Sequence, residues 1–63
     1  MLKVNDKELN FTGSIKELLD YLKLNQSSCA VLVNGEIIKR ESWEEYLLKN
    51  DDYVEIVSFV GGG

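Results

Sequence analysis

Histidine is absent from this 63-residue chain. Neither a Ser/His/Asp set nor a histidine metal site can be assembled, and the carboxylates fall where surfaces and helix caps use them. A chain this short has little volume with which to enclose a pocket, so it is read as no enzyme in its own right. There is one cysteine, Cys29, and hence no intramolecular disulfide. It lies in the apolar run Cys29 to Val33, where a free cysteine behaves as a small hydrophobe, and no neighbour in sequence would lower its pKa. The lack of a disulfide framework suits a reducing compartment. No apolar stretch is long enough for a bilayer and no leader pattern is visible, so the expected location is the cytoplasm. Lysine and arginine are few and unclustered: seven against eleven acidic residues, a net charge of −4. That argues against nucleic acid and leaves room for a basic protein partner. Low complexity is confined to the last three glycines, and there is no internal repeat.

What is present is well patterned. Leu2-Lys3-Val4 alternates as a half-buried strand does, Asn5-Asp6-Lys7 has turn chemistry, and Glu8-Leu9-Asn10-Phe11 alternates again. Together they predict a β-hairpin with Leu2, Val4, Leu9 and Phe11 on its inner face. Thr12-Gly13 breaks it. Ser14-Ile15-Lys16-Glu17 has the form of a capping box, and Ile15, Leu18, Leu19 and Leu22 follow at helical offsets, predicting a helix over 14–23. After a loop at 24–28, the β-branched run Cys29 to Val33 predicts a central strand. Asn34-Gly35 predicts a type I′ turn and Glu36 to Ile38 the returning strand. Within 39–50, Ser42-Trp43-Glu44-Glu45 again resembles a capping box, and Trp43, Tyr46 and Leu47 suggest a short helix or single turn, with the aromatics in the core. Asn50-Asp51-Asp52 turns the chain into a last strand, Tyr53 to Phe59.

The order β-β-α-β-β-(short α)-β predicts an α+β domain over 1–60, a mixed sheet of about five strands with one main helix on one face, followed by a flexible glycine tail, 61–63. The period of two in the last strand sends Val54 and Ile56 to one face and Glu55, Val57 and Phe59 to the other. With Val54 and Ile56 under the helix, Val57 and Phe59 become exposed apolar residues just ahead of Val60-Gly61-Gly62-Gly63. Exposed apolar patches mark partner sites, so Val57, Phe59 and Val60 are candidates for docking.

Val33-Asn34-Gly35-Glu36-Ile37-Ile38 with Arg40 and Trp43, then Asp52, Val54-Glu55-Ile56-Val57 and Phe59-Val60-Gly61-Gly62-Gly63, resemble the ThiS family of sulfur carriers within the ubiquitin-like β-grasp superfamily. The resemblance spans nearly the whole chain. It departs from the family pattern at Lys39, where proline is usual, and at Asp51, where glycine is usual. The resemblance implies that an E1-like enzyme, ThiF, consumes ATP to adenylate the Gly63 carboxylate. It further implies that sulfur from a cysteine desulfurase pathway converts the adenylate to a thiocarboxylate, and that thiazole synthase, ThiG, takes the sulfur for the thiazole of thiamin. No cofactor would be bound by the chain itself.

The chemistry suits the tail. A carboxylate is a poor acyl donor until its oxygen is made a leaving group, and an acyl-adenylate must be held away from water. Glycines thread narrow channels because they lack Cβ and accept φ of either sign. Ordering three of them costs about 1–2 kcal/mol each in backbone entropy, which docking of the folded body would offset. Gly61 and Gly62 are then the lead, and Gly63 the modified residue. Other readings remain open: a carrier with another client, such as the small subunit of molybdopterin synthase; a ubiquitin-like modifier joined to lysines; or an interaction module with an inert tail.

Overall fold

A computed structural model describes residues 1–59; Val60, Gly61, Gly62 and Gly63, and the expectations placed on them, lie outside the described residues. Among the described residues, five strands and one α-helix form two layers. The strands are β1 (Leu2–Val4), β2 (Lys7–Leu9), β3 (Cys29–Val33), β4 (Glu36–Ile38) and β5 (Tyr53–Ser58), with helix α1 at Ile15–Tyr21. Single 3₁₀ turns occupy Gln26–Ser28 and Arg40–Ser42. The sheet order is β2-β1-β5-β3-β4. The pairings β1–β2, β3–β4 and β3–β5 are antiparallel, whereas β1 and β5 run parallel. The expected mixed sheet is therefore present. The last strand is its centre, and β3 lies one place out.

The core lies between α1 and one sheet face. Ile15, Leu18 and Leu19 of the helix meet Leu2, Val31, Val33, Val54 and Ile56 of the sheet, all buried. The capping box forms as expected: Glu17 N–H donates to Ser14 Oγ at 3.1 Å, and Ser14 N–H donates to Glu17 Oε1 at 2.8 Å. Such caps contribute about 1 kcal/mol. Gly13, at φ +150, makes room for this: a Cβ there would lie 2.6 Å from Glu17 Oε1.

The helix is shorter than its apolar stripe suggests. It ends at Tyr21 with Leu22 as cap, and Lys23 turns left-handed at φ 59. Lys23 N–H donates to the Asp20 carbonyl at 3.1 Å and Leu24 N–H to that of Leu19 at 3.0 Å. This is the Schellman pattern, with lysine where glycine is usual. The second strand also differs from expectation: β2 is 7–9, and Phe11 packs on the core from outside the sheet.

Segment 39–50 contains a single 3₁₀ turn and then bends back on the helix. The Ser42 carbonyl, heading this bend, accepts from Glu45 N–H at 3.2 Å and Tyr46 N–H at 2.9 Å. Trp43 is buried, its Nε1–H donating to the Ile38 carbonyl at 2.8 Å. Tyr46 is partly buried against the core. The Tyr46 carbonyl accepts from Ile15 N–H at 3.0 Å, and that of Trp43 from Lys16 N–H at 3.1 Å. The first free donors of the helix are thus satisfied by this segment's backbone. The two positions departing from the family pattern fit locally. Lys39 has φ −67 and ψ 147, which proline would share. Asp51 has φ 72, the left-handed conformation for which glycine is ordinarily used.

Candidate functional site

The covered face leaves the opposite sheet face without a layer over it among the described residues. Val57 is 46% exposed and Phe59 58%, so neither packs away against Tyr53 or a loop. Their expected outward orientation holds, and Val54 and Ile56 are buried on the other side.

Strand register extends the patch beyond the residues legible in β5. Val57 lies opposite Ala30, Glu55 opposite Leu32, and Leu32 opposite Ile37. In β3 burial alternates, with Cys29, Val31 and Val33 buried and Ala30 and Leu32 intermediate. Ile37 is 69% exposed. Ala30, Leu32, Ile37, Val57 and Phe59 thus share the open face. The apolar continuity of Cys29 to Val33 predicts a central strand; β3 is interior to the sheet, one place from its centre, with the helix on one side only. A signal for Ile37 was available, because a two-residue turn at Asn34-Gly35 fixes 33 opposite 36 and 32 opposite 37. The turn is as expected, with Asn34 at φ 53 and Gly35 at φ 86.

Toward its end β5 is held from one side. Cys29 pairs with Ser58, and Phe59 N–H donates to the Ser28 carbonyl at 2.7 Å. Pairing with β1 stops at Val54. Of the acidic residues that could steer a partner, Asp52 is engaged in its own turn, accepting from Lys49 N–H at 2.8 Å and Asn34 Nδ2 at 3.0 Å. Asp51 and Glu55 are exposed and intermediate.

Cys29 is buried on the covered face. Burial raises its thiol pKa, and the Arg40 charge opposes that only in part. A protonated, covered thiol is a poor nucleophile, as expected for a packing residue. Arg40 lies over the Trp43 ring, 5.9 Å from the centroid, and donates to the Ser27 carbonyl at 3.4 Å. Among the described residues no group of His, Cys, Asp and Glu could hold a metal ion, and no helix is long and apolar enough to cross a membrane.

The chain matches the model of the ThiS family over residues 2–63. It is 41% identical to the sulfur carrier protein ThiS of Bacillus subtilis, with each chain covered in full. It is 36% identical to a thiazole synthase of Paramagnetospirillum magneticum, covering 98% of this chain and 20% of that protein. The crystal structure of the thiamine biosynthesis protein ThiS from Geobacter metallireducens superposes with a TM-score of 0.82 at 36% identity, covering 98% of this chain and 97% of that one. With its mixed five-stranded sheet, single helix and β-grasp order, the chain belongs to the ThiS family.

Proposed function

We propose that this protein is a sulfur carrier for formation of the thiamin thiazole, a co-substrate of other enzymes and not itself an enzyme. The observation carrying the reading is the family match, which runs through residue 63 and covers the whole of the Bacillus subtilis sulfur carrier. It supports the terminal glycines as the working end.

The proposed cycle starts when an oxygen of the Gly63 carboxylate attacks the α-phosphorus of ATP in the E1-like partner ThiF. Pyrophosphate leaves and an acyl-adenylate forms. The outer sulfur of a persulfide, formed by a cysteine desulfurase, adds to the acyl carbon. The C–O bond to AMP breaks, AMP departs and an acyl disulfide forms; a thiol reductant then cleaves its S–S bond, leaving the thiocarboxylate and a disulfide. ATP is consumed by the partner, and the carrier binds no cofactor. Gly61 and Gly62 would thread the carboxylate into the adenylating pocket and later into that of thiazole synthase.

Partnership with thiazole synthase, ThiG, is supported by the Paramagnetospirillum protein, in which a stretch similar to this whole chain makes up a fifth of a thiazole synthase. Placing two modules on one chain raises their effective concentration, which is useful when one delivers to the other. The open face supplies the body of the docking surface. Val57, Phe59 and Val60 would dock beside the tail, and Ala30, Leu32 and Ile37 would extend the contact by register. Rim charges would then govern approach rate more than affinity.

Intact-protein mass spectrometry tests the cycle. Incubation with the adenylating partner, ATP and a sulfur source should replace one terminal oxygen by sulfur. An unchanged mass beside a demonstrably active partner overturns the reading, and appearance of the chain on lysines of other proteins replaces it with a modifier. Deleting Gly63 should abolish the exchange and leave the fold intact.

A further inference from the structure

We propose that Asn5 is a positioning residue that fixes how far the functional end of β5 is held from both sides; this rests on the tail reading above. β1 ends at Val4, and its last backbone contact with β5 is Asn5 N–H donating to the Val54 carbonyl at 2.8 Å. Beyond that point the strand has no further residue to offer Ile56. The Asn5 side chain takes its place. Its Oδ1 accepts from Ile56 N–H at 2.8 Å, and its Nδ2 donates to the Ile56 carbonyl at 3.5 Å. A carboxamide carries the same donor and acceptor as a peptide unit, so one side chain reproduces a step of the ladder. Left-handed backbone at Asn5, φ 54, turns the chain away while the side chain stays on β5.

The consequence lies downstream. With the clamp, β5 is held from both sides through Ile56; without it, two-sided support ends at Val54, two residues earlier. At about 3.3 Å per residue, the stretch held by β3 alone lengthens by roughly 7 Å. That stretch carries Val57 and Phe59, whose place relative to the tail decides whether docking and threading occur together. Positioning errors of about 1 Å can cost a hundredfold in rate.

The molecule contains its own control. Asn34, also left-handed at φ 53 in a hairpin turn, holds Tyr53 with its side-chain oxygen and its backbone: its Oδ1 accepts from Tyr53 N–H at 3.0 Å, its backbone N–H donates to the Tyr53 carbonyl at 2.8 Å, and its Nδ2 donates to Asp52 Oδ1. Tyr53 lies at the opposite end of β5 from the tail. Both residues can be changed to glycine without straining φ.

The test compares Asn5→Gly, Asn34→Gly and Asn5→Asp in the full chain. Asp retains the acceptor for Ile56 N–H. Amide exchange of Phe59 N–H in the free carrier should accelerate about tenfold in Asn5→Gly, and change little in Asn34→Gly and Asn5→Asp. Adenylation by the E1-like partner, followed as ATP–pyrophosphate exchange well below the unfolding temperature, should lose about tenfold in kcat/KM for Asn5→Gly alone. Equal exchange and equal turnover in the two glycine variants overturn the positioning role. Failure of the unmodified carrier to support any exchange overturns the tail reading instead, and the amide data still decide the clamp.

Discussion

Val54 and Val57 are the same residue type on the same strand, three positions apart. Val54 is fully buried and Val57 nearly half exposed. The same split runs across the sheet: Val31 and Ile38 are buried beneath the helix, while Leu32 and Ile37 look away from it. Burying such a side chain contributes about 1.5–3 kcal/mol, so the open face forgoes much stabilisation that its residues could supply. In a chain of 63 residues, whose total stability is of order 3–9 kcal/mol, a contiguous apolar patch left uncovered is costly to solubility unless something covers it in use. The comparison separates residues that make the fold from residues that use it.

The largest effect should come from the covered face. Leu18 is fully buried against the sheet, and Leu18→Ala should destabilise by about 2–5 kcal/mol, enough to unfold much of the population. Urea unfolding followed by circular dichroism measures it; a loss below about 1 kcal/mol would mean that the helix contributes little to the core. The open face should respond oppositely. Phe59→Ala and Ile37→Ala should alter stability by no more than about 0.5 kcal/mol while weakening association with the adenylating enzyme about tenfold, or 1–2 kcal/mol. Titration calorimetry beside the same urea curves checks both. Should Phe59→Ala unfold the chain before it weakens binding, the two faces have been assigned the wrong way round.

This contrast explains what was legible in sequence. Helix α1 begins where Ser14 and Glu17 announce it because a capping box joins residues three apart. The Asn34-Gly35 turn is local for the same reason, and the order of elements follows from the alternation and helical offsets of successive segments. The helix end was misplaced because Lys23 does in a Schellman motif what glycine ordinarily does, and composition does not advertise a strained lysine. The docking patch was half visible. Val57 and Phe59 follow from the period of two within one strand, but Ala30 and Leu32 join them only through the pairing of β3 with β5, strands far apart in sequence. The Asn5 clamp joins residues 51 apart. Periodicity has no means of indicating such a contact, and Asn5 reads as an ordinary turn residue.

The smallest effect tests how far the covered face extends toward the functional end. Cys29 pairs with Ser58, at the far end of β5, yet is buried beneath the same layer as Val31. Its thiol pKa is raised by desolvation, with Arg40 opposing in part. A group whose folded pKa is raised stays protonated in the native state after it would ionise in the unfolded chain. Its contribution to stability is therefore fully present below the ordinary thiol value of 9.0 and is lost as pH rises through the folded pKa. Native Cys29 should react slowly with iodoacetamide at pH 8, and much faster in urea. Above about pH 9, stability should fall a little more steeply for the unmodified protein than for Cys29→Ala, with other groups titrating alike in both. Rapid native alkylation, or parallel pH curves, would show that the covered layer gives way before Ser58. The boundary between the two faces would then lie within β3, inward of Cys29, and the docking surface would wrap around the end of the sheet.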